Sequence, residues 1–123
     1  MPNSREFIDW LLELAAPFAD VSARAMFGGH GLYAGGIIVA IVIDDVLYFK
    51  TDAGNRAEFV LLGLEPFVYA SKGGERTALS YCRAPDEAIE SPQAMQQWLR
   101  SATGAALRAA AAKPGRARAK RRR

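Results

Sequence analysis

The spacing of apolar side chains along the chain predicts three helices, separated by segments in which apolar and polar residues alternate. The first helix carries apolar residues three and four positions apart, with Asn3 and Glu6 as a capping box and Pro17 at its end. Ser91 followed by Pro92 is typical of a helix start, so the last helix begins there. The predicted helices cover residues 3–16, 51–62 and 91–107, and the last extends to 112 if its alanines are helical.

Strands are predicted between the helices, and the strongest covers residues 37–43, where β-branched residues dominate. Asp44 and Asp45 form a turn that leads into its hairpin partner at 46–50. Because Asp-Asp is a poorer hairpin turn than Asn-Gly, the register of this hairpin stays open. Further strands are predicted over 21–27, 32–34, 66–70 and 77–83.

The order of these elements predicts the fold class. Hairpin connections predominate, so the sheet should be antiparallel. We expect an α+β fold, a two-layer sandwich in which a sheet of about five to six strands packs against the helices. One domain over residues 1–107 and a basic, disordered tail over 108–123 complete the predicted organisation.

The strand at 37–43 is apolar on both faces. Strict alternation places Ile37, Val39, Ile41 and Ile43 on one face, and the residues between them on the other. A two-layer fold covers one face of its sheet with helices. The second face is therefore covered either by a remaining helix or by a second copy of the chain, which would form a homodimer.

Charge divides the 123 residues into two unlike parts. Residues 1–107 hold eight basic and thirteen acidic residues, a net charge of −5, while 108–123 hold eight basic residues and no acidic ones. The tail is a candidate for non-specific DNA contact, against the alternatives of an incidental extension or an acidic or membrane-surface partner. The candidate nucleic-acid-binding residues are Arg116, Arg118, Lys120, Arg121, Arg122 and Arg123.

The composition also bears on the compartment. The longest strongly apolar run has seven residues, too short for a membrane span, so no membrane partner is expected. The first residues lack the basic and apolar segments of a secretory signal, which makes the cytoplasm the expected location. Cys82 is the single cysteine and can form neither an internal disulfide nor a cysteine zinc site.

Residues with possible chemistry are few and scattered. Gly28, Gly29, His30 and Gly31 do not match a phosphate-binding loop, and glycines that permit a tight turn or bulge explain the segment better. His30 would need a partner to act as a base, and Cys82 would need His30 beside it to act as a nucleophile. We therefore predict no catalytic residues, no cofactor and no metal.

Four tyrosines on predicted strands, Tyr33, Tyr48, Tyr69 and Tyr81, are candidate stacking platforms for bases. Their strand positions favour a second interpretation, as residues at the edge of the core. The net negative charge of residues 1–107 also argues against a nucleic-acid groove on the sheet.

An ordered series of motifs resembles a known family. The segments Met26 to Tyr33, Leu47 to Asp52, Gly63 to Tyr69 and Leu79 to Tyr81, followed by Trp98, resemble the N-terminal domain of the TfoX (Sxy) family of bacterial competence regulators. The motif residues given a structural role are Met26, Phe27, Gly28, Gly29, Gly31, Tyr33, Tyr48, Lys50, Pro66, Phe67 and Tyr81.

The resemblance implies an α+β domain without established catalytic residues, in regulators that promote transcription together with the cyclic-AMP receptor protein. Those regulators also carry a helical second domain, where this sequence has the basic tail. We expect a non-enzymatic, transcription-regulator-like domain that contacts a protein of the transcription machinery and touches DNA with its tail. The alternative is a domain that is not transcriptional, either small-ligand-binding or a chaperone-like homodimer.

Overall fold

The elements of the chain form one six-stranded antiparallel sheet with helices packed on one face. The computed structural model describes residues 3–26, 28–70 and 76–112. The strand order is β1-β2-β3-β4-β6-β5, and the predicted α+β class is confirmed. The elements are α1 (Arg5–Ala15), β1 (Val21–Met26), β2 (Gly29–Ala34), β3 (Ile37–Ile43), β4 (Val46–Lys50), α2 (Arg56–Leu61), β5 (Pro66–Ala70), β6 (Arg76–Arg83), a 3-10 turn (Asp86–Ile89) and α3 (Pro92–Ala111).

Helix α1 begins one residue later than the capping-box prediction. Ser4 is the N-cap, and its hydroxyl oxygen accepts a hydrogen bond from the Phe7 amide at 3.1 Å. Asn3 has a different role, since its amide group donates to the Val42 carbonyl at 2.8 Å and accepts from the Asp45 amide at 2.7 Å. The Asn3 side chain therefore links the start of α1 to the turn of the β3–β4 hairpin.

The β3–β4 hairpin has a two-residue turn, which settles the register that the sequence left open. Ile43 pairs with Val46, and both turn residues adopt left-handed conformations, Asp44 with φ 53° and Asp45 with φ 60°. These angles fit a turn whose twist matches that of the strands. Asp45 is further held by the Ser4 amide, which donates to its carboxylate at 2.8 Å.

The core lies between the helices and one face of the sheet. A cross-strand row of Leu32, Ala40, Phe49 and Cys82 is buried against the helices. The strict alternation predicted for β3 is wrong, because the pairing of β2 with β3 shifts register between Leu32 and Tyr33. Such a bulge inserts an extra residue and changes which positions share a face.

The shift moves the core face of β3 by one residue. On the N-terminal side of the bulge, Ile37 and Val39 pack into the core, and on its C-terminal side Ala40 and Val42 do so. Ile41 lies on the opposite face, in register with Gly31 and Tyr48.

A buried asparagine joins three elements of the fold. Asn55 is 2% exposed and precedes α2, which begins several residues later than the predicted position. Its side-chain nitrogen donates to the carbonyls of Lys50 and Ser101, each at 3.2 Å, and its oxygen accepts from the Asp52 amide at 2.8 Å. The end of β4, the start of α2 and the middle of α3 are thereby linked.

Helix α3 continues to Ala111, in line with the longer of the two predicted ends, and so extends past the domain boundary predicted at Leu107. Its Arg108 forms a bidentate ion pair with Asp52, in which Nε donates to Oδ2 at 2.6 Å and Nη2 donates to Oδ1 at 2.9 Å. Arg108 is therefore part of the folded body. The other basic residues assigned to the tail lie outside the described residues.

The ion pair makes the stability of the fold depend on pH. The hydrogen bonds from Arg108 are the main cause that lowers the pKa of Asp52 from 3.8 to about 2. Because the pKa is lowered, the stabilisation is complete above pH 3.8 and is lost as the pH falls through about 2. We expect Asp52→Asn to be modestly less stable than the parent at neutral pH, since water screens the exposed arginine.

Urea unfolding at a series of pH values measures this effect. The stability difference between Asp52→Asn and the parent should shrink below pH 3.8 and disappear below about 2. Arg108→Gln should show the same pH dependence, because it removes the other half of the pair. A difference that stays constant with pH would contradict the assignment.

Candidate binding face of the sheet

The face of the sheet opposite the helices carries a second cross-strand row. Arg24, Gly31, Ile41, Tyr48 and Arg83 are successive register partners across β1, β2, β3, β4 and β6. In an antiparallel sheet, residues directly opposite each other share a face. Since the neighbouring row faces the helices, this row and the positions two residues away along each strand form a helix-free surface, here called the open face.

Aromatic rings and cations lie together on the open face. The Arg24 guanidinium lies over the Tyr33 ring, 5.3 Å from its centre, and the Lys50 ammonium lies 5.0 Å from the centre of the Tyr81 ring. Both distances are within the range of cation–π attraction. Tyr48 meets Phe67 edge to face, with ring centres 4.9 Å apart. The surface is thus aromatic and basic at the same time.

Gly31 leaves room for the side chains around it. A Cβ atom at this position would lie 2.7 Å from the sulfur of Met26 and 3.1 Å from Cε1 of Tyr33. The Tyr33 hydroxyl is 4.0 Å from the same sulfur and donates to it weakly. The missing side chain of Gly31 therefore allows Met26 and Tyr33 to pack against the sheet.

Burial changes the pKa of Tyr81, which lies on β6. Tyr81 is 8% exposed, and removal from water raises the pKa of its phenol above the ordinary value of 10.0, with Tyr33 contributing in the same direction. The phenol stays neutral at physiological pH. Tyr81 therefore adds no negative charge to the open face.

The electrostatic character of the sheet differs from that of the body as a whole. Within the described residues, none of the acidic side chains lies on the six strands, whereas the strands contain four basic residues. The basic positions are Arg24, Lys50, Arg76 and Arg83. The net charge of residues 1–107 therefore does not describe the sheet, and it does not argue against an anionic ligand there.

Most of the motif residues that carried the family resemblance converge on this open face. Those on it are Met26, Gly29, Gly31, Tyr33, Tyr48, Lys50, Phe67 and Tyr81. Gly28 adopts φ +77° next to β2, as expected for a glycine turn, and Pro66 pairs with Cys82. Phe27 lies outside the described residues. The same holds for the tail residues Arg116, Arg118, Lys120 and Arg121 to Arg123.

The structure does not bring the scattered chemical candidates together. Nδ1 of His30 is 2.9 Å from the side-chain nitrogen of Asn3, so the ring is tied to the start of α1. Cys82 is 3% exposed, and burial raises the pKa of its thiol. The strands that carry these two residues are separated by β3 and β4, a distance of about 14 Å at ordinary strand spacing. Among the described residues, no three His, Cys, Asp or Glu side chains are grouped to hold a metal ion.

Sequence reasoning missed the open face as a unit. The sequence groups Tyr33, Tyr48, Tyr69 and Tyr81 as candidate stacking platforms but gives no sign that Arg24 belongs with them. A signal was present in the two-residue spacing of Arg24 with Met26, of Gly31 with Tyr33 and of Tyr48 with Lys50. The pairing order of the strands, which combines these segments, is visible only in the fold. In the part of the chain that the structure describes, no helix is long and apolar enough to cross a membrane.

Comparison with known proteins assigns the family. No curated protein matches the chain. The family model described as the TfoX N-terminal domain matches residues 13–106, which include all the described strands and the open face. Because this match spans most of the sequence, the chain belongs to the TfoX N-terminal domain family.

Proposed function

We propose that this chain is a non-enzymatic, transcription-regulator-like domain that acts by binding other macromolecules. The observation that carries the proposal is the convergence of family-motif residues on one open, aromatic and basic face. Residues that serve catalysis usually group a nucleophile or base with an orienting partner. Here the grouped residues are rings and cations, which suit recognition of a ligand surface.

DNA is the first proposed partner. Six of the basic residues of the tail, Arg116, Arg118, Lys120, Arg121, Arg122 and Arg123, would contact phosphates without reading the base sequence. An arm of this composition adds affinity that depends strongly on salt.

A protein of the transcription machinery is the second proposed partner. Val60, Leu61 and Leu62 at the end of α2 are 64%, 85% and 55% exposed, so three neighbouring large apolar side chains lie on the surface. Exposed apolar clusters of this kind are typical of protein contacts. The cytoplasm remains the expected location.

The alternative functions, a small-ligand-binding domain or a chaperone-like homodimer, have weaker support. Self-association through the open face would bring the strand cations Arg24 and Lys50 of two copies to one interface. Like charges brought together in this way oppose a symmetric contact. Sedimentation of the chain at several concentrations measures its oligomeric state directly.

The experiment that tests the DNA contact is a fluorescence-anisotropy titration of duplex DNA at several salt concentrations. The variant Arg121→Gln/Arg122→Gln/Arg123→Gln removes three tail charges from the full chain. We expect weaker binding and a salt dependence that is less steep by about 2.5 in log K against log salt.

A matched control removes three charges from exposed positions of the body. The variant Arg5→Gln/Arg56→Gln/Arg100→Gln has the same net charge as the tail variant and should bind duplex DNA like the parent. Equal losses in the two variants, or no loss in the tail variant, would show that the tail is not a DNA-binding arm.

A further inference from the structure

We infer that the open face of the sheet binds single-stranded nucleic acid, with aromatic rings receiving bases and neighbouring cations receiving phosphates. The inference deepens the proposed function, because it rests on the open face being a binding surface and names what that surface takes. It is independent of the tail, whose proposed contact is with the duplex backbone.

The arrangement of rings is the first argument. Tyr33 and Tyr48 lie on β2 and β4, and Phe67 adds a ring from β5. These three rings are partly exposed on the side of the sheet that no described helix covers, whereas the Tyr81 ring is buried. Proteins that bind single strands without sequence preference stack successive bases on such aromatic side chains.

The position of the cations is the second argument. Arg24 and Lys50 each lie next to a ring of the same face, at 5.3 Å from Tyr33 and 5.0 Å from Tyr81. A base that reaches Tyr33 therefore brings its phosphate close to Arg24. In proteins that bind single strands, basic residues contact the phosphate backbone while the bases stack on aromatic side chains.

Charge separation within the body is the third argument. The six strands have basic residues and no acidic ones, although the body as a whole is acidic. The surface complementary to this face is therefore anionic. A second copy of the chain would present the same cations and does not meet this requirement.

Two other anionic ligands fit less well. Bases in a duplex are stacked on each other and cannot lie flat on the rings of a sheet face. An acidic peptide would satisfy Arg24 and Lys50 but would not need three partly exposed aromatic side chains. A single strand is the ligand that uses both the rings and the charges.

The test uses the full chain with the six tail charges from Arg116 onward removed by glutamine, at Arg116, Arg118, Lys120 and Arg121 to Arg123. Its ligand is a fluorescein-labelled oligothymidine of about ten nucleotides, a length in the usual range for a single-strand site. In this background we expect measurable binding of the single strand and at least about ten-fold weaker binding of a duplex of equal length.

Substitutions on the face separate stacking from charge. Tyr48→Leu should weaken binding about ten-fold, whereas Tyr48→Phe should bind like its parent because the ring remains. Arg24→Gln should make the salt dependence less steep by about 0.7 in log K against log salt, the contribution of one phosphate on a single strand. Arg100→Gln, which removes an exposed charge from α3 on the helix side, should leave binding unchanged.

Several outcomes would overturn the inference. The first two are no binding of oligothymidine by the chain with the six tail substitutions, and equal binding of a duplex by that chain. The other two are full displacement of the oligonucleotide by polyglutamate at equal charge concentration, and equal effects of Arg24→Gln and Arg100→Gln on binding. Circular dichroism and urea unfolding of each variant confirm that it is folded. Failure here would leave the duplex contact of the tail intact, because that contact is measured with the charged tail.

Discussion

Replacement of Phe59 by alanine is expected to lower the free energy of unfolding by about 4 kcal/mol. Phe59 is fully buried, although α2 is a helix of only six residues and the side chains that follow in it are exposed. Its ring meets Trp98 of α3 edge to face, with ring centres 5.1 Å apart. The substitution would remove the ring that anchors α2 to the core and leave a cavity beside Trp98.

Urea unfolding followed by circular dichroism measures this loss, and Leu61→Ala is the matched control. Leu61 lies two residues further along the same helix and is 85% exposed. Truncation of an exposed side chain usually changes stability by less than about 0.5 kcal/mol. Similar losses in the two variants would mean that α2 does not pack through Phe59.

The sequence predicted the elements whose signals are local. Ser91 accepts from the Ala94 amide at 3.2 Å and caps α3, as the Ser-Pro pair predicted. The hairpin of β3 and β4 was placed correctly because a strongly apolar strand, a polar turn and a second apolar strand follow one another directly. In both places, the residues that determine the structure are close neighbours in the chain.

Features that depend on distant residues were not predictable in the same way. Asn3 was assigned to a helix cap, whereas its partners Val42 and Asp45 are about forty residues away in the chain. Asn55 reaches Ser101, and a polar residue in a turn carries no sign of a partner so distant. The bulge between Leu32 and Tyr33 was equally hidden, because both positions fit a regular strand.

In the candidate site, too, the local features were predictable from the sequence and the contacts between distant segments were not. The motif residues were identified from the sequence through their family resemblance, but their spatial relation depends on the pairing of β4 with β6. That pairing places Tyr48 opposite Arg83 and Lys50 opposite Tyr81, so segments more than thirty residues apart in the chain share one surface. The strand positions of the four tyrosines alone could not distinguish this surface from the edge of the core.

Gly29 and Gly31 of β2 allow the packing of the strands to be tested separately from the shape of the open face. Gly29→Ala is expected to lower the free energy of unfolding by about 3 kcal/mol. A Cβ atom there would overlap the Val42 carbonyl oxygen and lie 2.6 Å from Cδ1 of Ile43. Because a backbone atom of the neighbouring strand blocks the space, β2 and β3 would have to move apart.

Gly31→Ala is the matched control, since the same methyl group is added two residues further along β2. The closest atom there is the sulfur of Met26, at 2.7 Å, at the far end of a flexible side chain. Met26 can rotate away, so we expect a loss below about 1 kcal/mol in the same urea measurement. Equal losses would show that the open face is packed as rigidly as the backbone of the sheet. With the expected difference, Gly29 is required by the fold itself, whereas Gly31 shapes the surface on which Met26 and Tyr33 lie.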